Sequence, residues 1–214
     1  ALRGRLEARA WLEGSLARPG LALIADAGSL AVDDEPLGRV GIEASLAHGR
    51  AQAHVMWQPG GSEQLELRAS AAVGNPPRPS LRTDQPLSLA LVTRDLTLAR
   101  AQRWAKRPLG GELDLTLHVD GTAAAPRIVL DADGRALRYD ELELSSIVTH
   151  VEHRDGRVDG RVELAAPWLE GLHVGASLPL RITGAAPWFS FDADADAAVD
   201  VVLDHLELAG LETI

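Results

Sequence analysis

Three aspartates at alternate positions, Asp192, Asp194 and Asp196, open like a calcium-binding loop. That loop needs a glycine next for its sharp turn and a glutamate further on as bidentate ligand. Ala197 and Leu203 stand there instead, and aspartates alternating along a strand simply form its wet face. His150 and His153 raise the question of zinc. Residues three apart on a strand face opposite sides, and the chain has no cysteine to complete a ligand set. Serine, histidine and aspartate for a hydrolase are present, but no Gly-x-Ser-x-Gly elbow holds them. Gly110-Gly111 is too short for a phosphate cradle and opens a strand rather than a helix. Trp11, Trp57, Trp104, Trp168 and Trp188 would suit a membrane-interface belt or a base-stacking platform. With only two Phe and one Tyr beside them, scattered core and edge positions are the simpler reading. The residues therefore point to no enzyme, no metal and no cofactor.

What remains to carry function is apolar, and its spacing is regular. In Leu109–Val129, Leu113, Leu115, Leu117 and Val119 alternate with Glu112, Asp114, Thr116, His118 and Asp120. Strand side chains change faces at every residue, so this run has one apolar and one charged face. Gly121-Thr122 breaks it and Pro126 launches another apolar run.

The same pattern occurs 107 residues earlier: Leu2 lies under Leu109, Gly14 under Gly121 and Pro19 under Pro126. The register continues without a gap, Gly28–Val55 lying on Arg135–Val162, with Leu30 under Leu137, Val40 under Ile147 and Gly49-Arg50 under Gly156-Arg157. Later it drifts, since Leu96–Ala99 matches Leu206–Ala209 at an offset of 110. Tandem copies of one supersecondary unit leave this trace. We read residues 1–107 and 108–214 as two repeats of one continuous structure, because each repeat offers unsatisfied edges to its neighbour.

Alternating runs account for most of the remaining chain. Leu6, Ala8, Ala10 and Leu12 share one face, as do Val40, Ile42, Ala44 and Leu46, and then Leu65, Leu67, Ala69 and Ala71. In the second copy Ile147, Thr149 and Val151 are followed by Val158, Val162 and Leu164. Leu172, Val174, Ala176, Leu178, Leu180 and Ile182 read as the longest one-sided strand. Phe189 to Ala197 alternates as well. Asn75–Ser80 is the strongest breaker and reads as a surface loop. Thr97–Trp104 is the convincing helical piece, capped by Thr97 and stopped before Pro108. The expectation is an all-β chain: an elongated, curled, antiparallel-rich sheet of about a dozen strands with one short helix near 97–105.

Bulk properties exclude several roles. A net charge of −10 argues against nucleic acid, whose phosphates need clustered Lys and Arg, and against adsorption to anionic lipid surfaces. The chain lacks the run of roughly 18 or more apolar residues that a membrane-spanning helix needs. Its abrupt ends suggest a piece of something longer, with targeting information outside it.

The order of the pieces carries a resemblance. A Leu-x-Leu-x-Leu strand and short helix precede Leu109-Gly-Gly-Glu-Leu-Asp-Leu115 and then Val119-Asp-Gly-Thr-Ala-Ala-Ala-Pro126. This resembles the periplasmic repeats of TamB-like proteins within the AsmA-like, repeating β-groove superfamily. The match is best over Pro86–Leu164. The first copy departs from it, with Ser15-Leu-Ala-Arg-Pro19 at the Gly-Thr-x-x-x-Pro position. The resemblance implies a taco-like trough with an apolar interior, in the periplasm of a Gram-negative bacterium and anchored to the inner membrane. It implies an outer-membrane barrel partner of the TamA type, and roles in phospholipid movement and outer-membrane protein assembly.

The trough lining expected from the pattern is Leu6, Val40, Ile42, Leu46, Leu65, Leu67, Leu113, Leu115, Leu117, Val119, Ile147, Val151, Val162, Leu164, Leu172, Val174, Leu178 and Leu180. Burying hydrocarbon returns ~0.8 kcal/mol per CH₂, so an acyl chain of about 16 carbons gains on the order of 10 kcal/mol there. A dozen strands at ~4.8 Å spacing run about 55 Å. The leading expectation is a module that shields phospholipid acyl chains between two membranes. The alternatives are a chaperone-like groove that holds outer-membrane protein strands by strand addition, and a spacer filled by its own side chains.

Overall fold

The structure, a computed structural model, describes residues 2–15, 18–32, 35–74, 82–102, 107–182, 189–192 and 194–204. Eleven long strands follow one another as β1 (Leu2–Ser15), β2 (Arg18–Val32), β3 (Glu35–Ala47), β4 (Arg50–Gly60), β5 (Glu63–Ala72), β6 (Pro86–Thr97), β7 (Leu109–Thr122), β8 (Ala125–Tyr139), β9 (Leu142–Arg154), β10 (Arg157–Ala166) and β11 (Leu169–Leu178). A short hairpin, β12 (Leu180–Ile182) and β13 (Phe189–Phe191), comes next, then β14 (Ala198–Leu203). Strands β1 to β11 and β14 form one 12-stranded sheet in chain order, antiparallel throughout. It is an elongated, curled sheet that does not close, with β1 and β14 as its edges. Each long strand contacts its sheet neighbours, and no second layer of described residues packs across the sheet.

The offset that relates the sequence halves also relates the backbone. β1, β2 and β3 become β7, β8 and β9 when 107 is added to both ends of each. Irregularities repeat too: the bulge at Arg3/Arg5 recurs at Gly110/Glu112. Ser29 and Ala136, then His48 and Asp155, take left-handed φ at equivalent turns and bulges. The drift to 110 is equally visible, because Leu91 pairs with Leu67 whereas Val201 pairs with Val174. The extra residues of the second copy lie in the β12–β13 insertion.

Gly111 shows why the bulge needs its residue type. Its φ is +100°, and an added Cβ would meet the Ala136 carbonyl oxygen at 2.6 Å and the Arg135 oxygen at 2.8 Å. Both are backbone atoms and cannot turn aside. Gly111→Ala is expected to lower stability by about 2–3 kcal/mol, read as a shift in urea midpoint. At Gly28 an added Cβ meets nothing within 4 Å, so Gly28→Ala is the matched control and should stay within ~1 kcal/mol.

Two strand expectations are corrected. Pro179 ends β11, so Leu180 and Ile182 belong to β12 and leave the sheet; proline has no N–H to continue a ladder. The Phe189–Ala197 run gives a three-residue strand, paired Leu180 to Phe191 and Ile182 to Phe189. The helical piece is a 3₁₀ turn over Leu98–Ala101, and Thr97 makes no side-chain cap. The Asn75–Ser80 breaker, Trp104, Trp188 and Leu206–Ala209 lie outside the described residues.

Candidate functional site

Cross-strand partners share a face, so the register assembles the apolar surface row by row. One row reads Ala8, Ala25, Ile42, Val55, Leu67, Leu91, Leu117, Leu130, Val151, Gly160, Ala176, Val199. The next is Leu6, Ala27, Val40, Trp57, Leu65, Thr93, Leu115, Ala132, Thr149, Val162, Val174, Val201, by the same pairings. A third row contains Leu23, Leu89, Val119, Ile128, His153, Val158 and Leu178; a fourth begins Leu12, Leu21, Leu46. In the second copy a further row joins Leu113, Gly134, Ile147, Leu164, Leu172 and Leu203.

Seventeen of the eighteen lining residues expected from the sequence therefore share this face. Leu180 is the exception, lying on β12 instead. In β3 to β10 these side chains are half-buried by one another. Among the described residues the buried hydrophobics are Ala27, Ala166 and Leu169 alone, and no large side chain falls below 2% exposure. The result is a continuous apolar band without a packed middle. Patches of this extent on soluble proteins mark interaction surfaces.

Polar devices sit at the two ends of the strands. On β5, Glu63 precedes Leu65 on the apolar face and is only 8% exposed. Its carboxylate accepts hydrogen bonds from the Thr97 backbone N–H at 2.9 Å and from Arg100 Nε at 2.8 Å. Arg100 also donates to the Pro36 carbonyl oxygen, so the 3₁₀ turn is strapped back across the ends of β5 and β3. Trp57 Nε1 donates to the Leu37 oxygen at the same end, at 2.6 Å.

At the opposite end, buried His153 places Nδ1 2.9 Å from the Pro126 carbonyl oxygen and Nε2 3.2 Å from that of Leu180. It thereby ties β12 to β8 and β9 on the apolar side. A neutral ring donates to one of these carbonyls at a time. The type of His153 and its spacing from His150 give no sign of this burial. His150, on the opposite face, pairs with Asp131 at 2.6 Å.

The strap has a pH signature. Burial pushes the Glu63 carboxyl up, but hydrogen bonds from Arg100 and Thr97, with the Arg100 charge, outweigh it and hold the pKa below the ordinary 4.5. A carboxyl depressed on folding contributes stability that is present above its unfolded value. That contribution is lost as pH falls through the folded value. Stability should therefore decline on acidification below about pH 4.5, and Glu63→Gln should remove part of that decline. Urea midpoints measured across pH 3 to 7 for both proteins check this.

The opposite face carries charge. Cross-strand ion pairs run along it: Arg39–Asp26 at 2.9 Å, Arg127–Glu152 at 3.1 Å and Arg135–Asp114 at 2.9 Å. Pairs this exposed contribute little stability, but opposite charges across a ladder disfavour a slipped register. Glu66 accepts from His54 and Arg68; the His54 hydrogen bond, with Arg68, holds its carboxyl below the ordinary range. Ala22, Glu43, Ser45, Gln52, His54, Arg68, Ser70 and Ser88 line a depression of about 540 Å³ on this face. One sign of it lies in the sequence once the register is known. The signal was a row of small side chains (Ala22, Ser45, Ser70, Ser88) between longer ones.

Fold and site together define a class: an open, single-layer antiparallel meander with one apolar and one charged face. No protein-family model, curated protein or solved structure matches the chain.

Proposed function

We propose that this chain is a hydrophobic β-groove segment that shields and conducts phospholipid acyl chains between the inner and outer membranes of a Gram-negative envelope, supporting outer-membrane biogenesis. The observation that carries the reading is the apolar band: rows of Leu, Val, Ile and Ala cross all 12 strands, and no second layer of described residues covers them, β12 lying against one end through His153. A layer this apolar gains free energy when hydrocarbon covers it, at roughly 25 cal/mol per Å² removed from water. The charged opposite face, with its cross-strand ion pairs, keeps the loaded sheet in solution. The resemblance to TamB-like repeats supports a periplasmic setting, an inner-membrane anchor outside this chain and an outer-membrane barrel partner.

Photo-crosslinkers placed at Leu67 and Val151, with His150 as the opposite-face control, test the reading in cells. Lipid adducts at the first two and none at the third are expected. Adducts to outer-membrane protein strands in place of lipid would replace this reading with strand holding.

A further inference from the structure

We propose that the charged face carries a binding trench for a linear, uncharged oligosaccharide, running across β1 to β6 and walled at one end by Trp11. The trench lies on the face opposite the apolar band and stands independently of what that band carries. Register lays it out. Trp11 is opposite Ala22, and the same row continues through Ser45, Gln52, Ser70 and Ser88. A parallel row, two residues along each strand, reads Ile24, Glu43, His54 and Arg68.

Between the two rows stand Leu23, Ala44, Ala53 and Ala69. Their side chains turn to the apolar face, so their backbone forms the floor. The depression of about 540 Å³ described above occupies this space, and a second of about 330 Å³ adjoins it, the two sharing Ala22 and Ser45. Trp11 lines the second and is 44% exposed. From β1 to β6 the row crosses five strand spacings, roughly 24 Å. A further strand beside β1 would extend the sheet sideways and leave this face open.

The lining selects the class of ligand. Serine hydroxyls and the Gln52 amide both donate and accept hydrogen bonds, which suits a chain of hydroxyls better than one of fixed charges. His54 at 2.7 Å and Arg68 at 2.5 Å are both engaged by Glu66, so neither is left uncommitted for an anion. Exposed Glu43 keeps a carboxylate to accept from ligand hydroxyls, and the net charge of −10 repels anions from the whole surface. Trp11 supplies a flat apolar wall with a polar tip, against which the C–H face of a sugar ring packs. An extended peptide is served worse. Peptides gain affinity on sheets by adding to a ladder, and β2 to β6 beneath the trench are already paired on both sides.

NMR titration of the isotope-labelled full chain with tetra-N-acetylchitotetraose, cellotetraose and maltotetraose tests the site. At least one sugar should move the Trp11 indole N–H and the Gln52 side-chain amide saturably below about 10 mM, while the methyl groups of Leu67 and Leu117 stay still. Trp11→Ala should weaken that sugar at least about tenfold. Ser45→Leu, which fills the junction of the two depressions, should abolish its binding, with circular dichroism confirming that each sheet is intact. Both variants should retain labelled phospholipid as the native chain does, which separates this site from the apolar band. None of the three sugars moving these resonances would overturn the proposal. So would folded variants that bind as tightly as the native chain, shifts confined to the apolar-face methyls, or an extended Gly-Ser peptide that moves the same resonances more strongly than any sugar.

Discussion

Leu117→Asp is expected to eliminate acyl-chain capture while Thr116→Asp, one residue away on the same strand, leaves it unchanged. Leu117 sits mid-row between Leu91 and Leu130, and Thr116 pairs with Val92 and Asp131 on the charged face. A carboxylate at position 117 would have to shed its water beneath the hydrocarbon. Its cost, with the lost apolar contact, comes to several kcal/mol, or about a hundredfold or more in capture. Leu67→Asp, on the same row in the first copy, supplies an independent test should strand β7 tolerate the change poorly. Retention of a labelled phospholipid by the folded variants, measured side by side, gives the result.

Gly38→Ala is expected to cost the most stability of any conservative change considered. Gly38 has φ +80°, and an added Cβ would lie 1.9 Å from the Gln58 carbonyl oxygen and 2.5 Å from Pro59 Cα. Left-handed strain and a backbone collision act together here, where β3 runs against the end of β4. We expect a loss of about 3–5 kcal/mol, enough to leave much of a marginal sheet unfolded at room temperature. Chemical denaturation, or a failure to recover soluble protein, is the readout.

Much of this architecture was legible because two signals reinforce each other. A period of two names the strands and their faces, and the repeat at 107 fixes where turns recur. Leu113 to Val119 and their partners Leu89 to Leu96 were assignable for that reason. Legibility failed where a single residue outweighed the pattern. Leu180 continues the alternation of Leu172 to Leu178, yet Pro179 sends it off the sheet. His153 fits a wet surface by type, yet its parity puts it on the apolar face beneath β12.

Glu63 is the sharper lesson. It keeps step with Leu65 and Leu67, and the charge that satisfies it comes from Arg100, 37 positions along the chain. No local window reveals such a partner. The depression on the charged face was missed for a related reason, since it arises from side chains brought together across five strands.

The central claim is that hydrocarbon occupies the apolar band. Uptake of a fluorescent phospholipid by the purified, folded chain, chased with unlabelled lipid, tests it most directly. The account predicts saturable uptake that the unlabelled lipid reverses and that Leu117→Asp removes. A folded sheet that acquires no lipid, or that binds it equally well with Leu117 replaced, would contradict it.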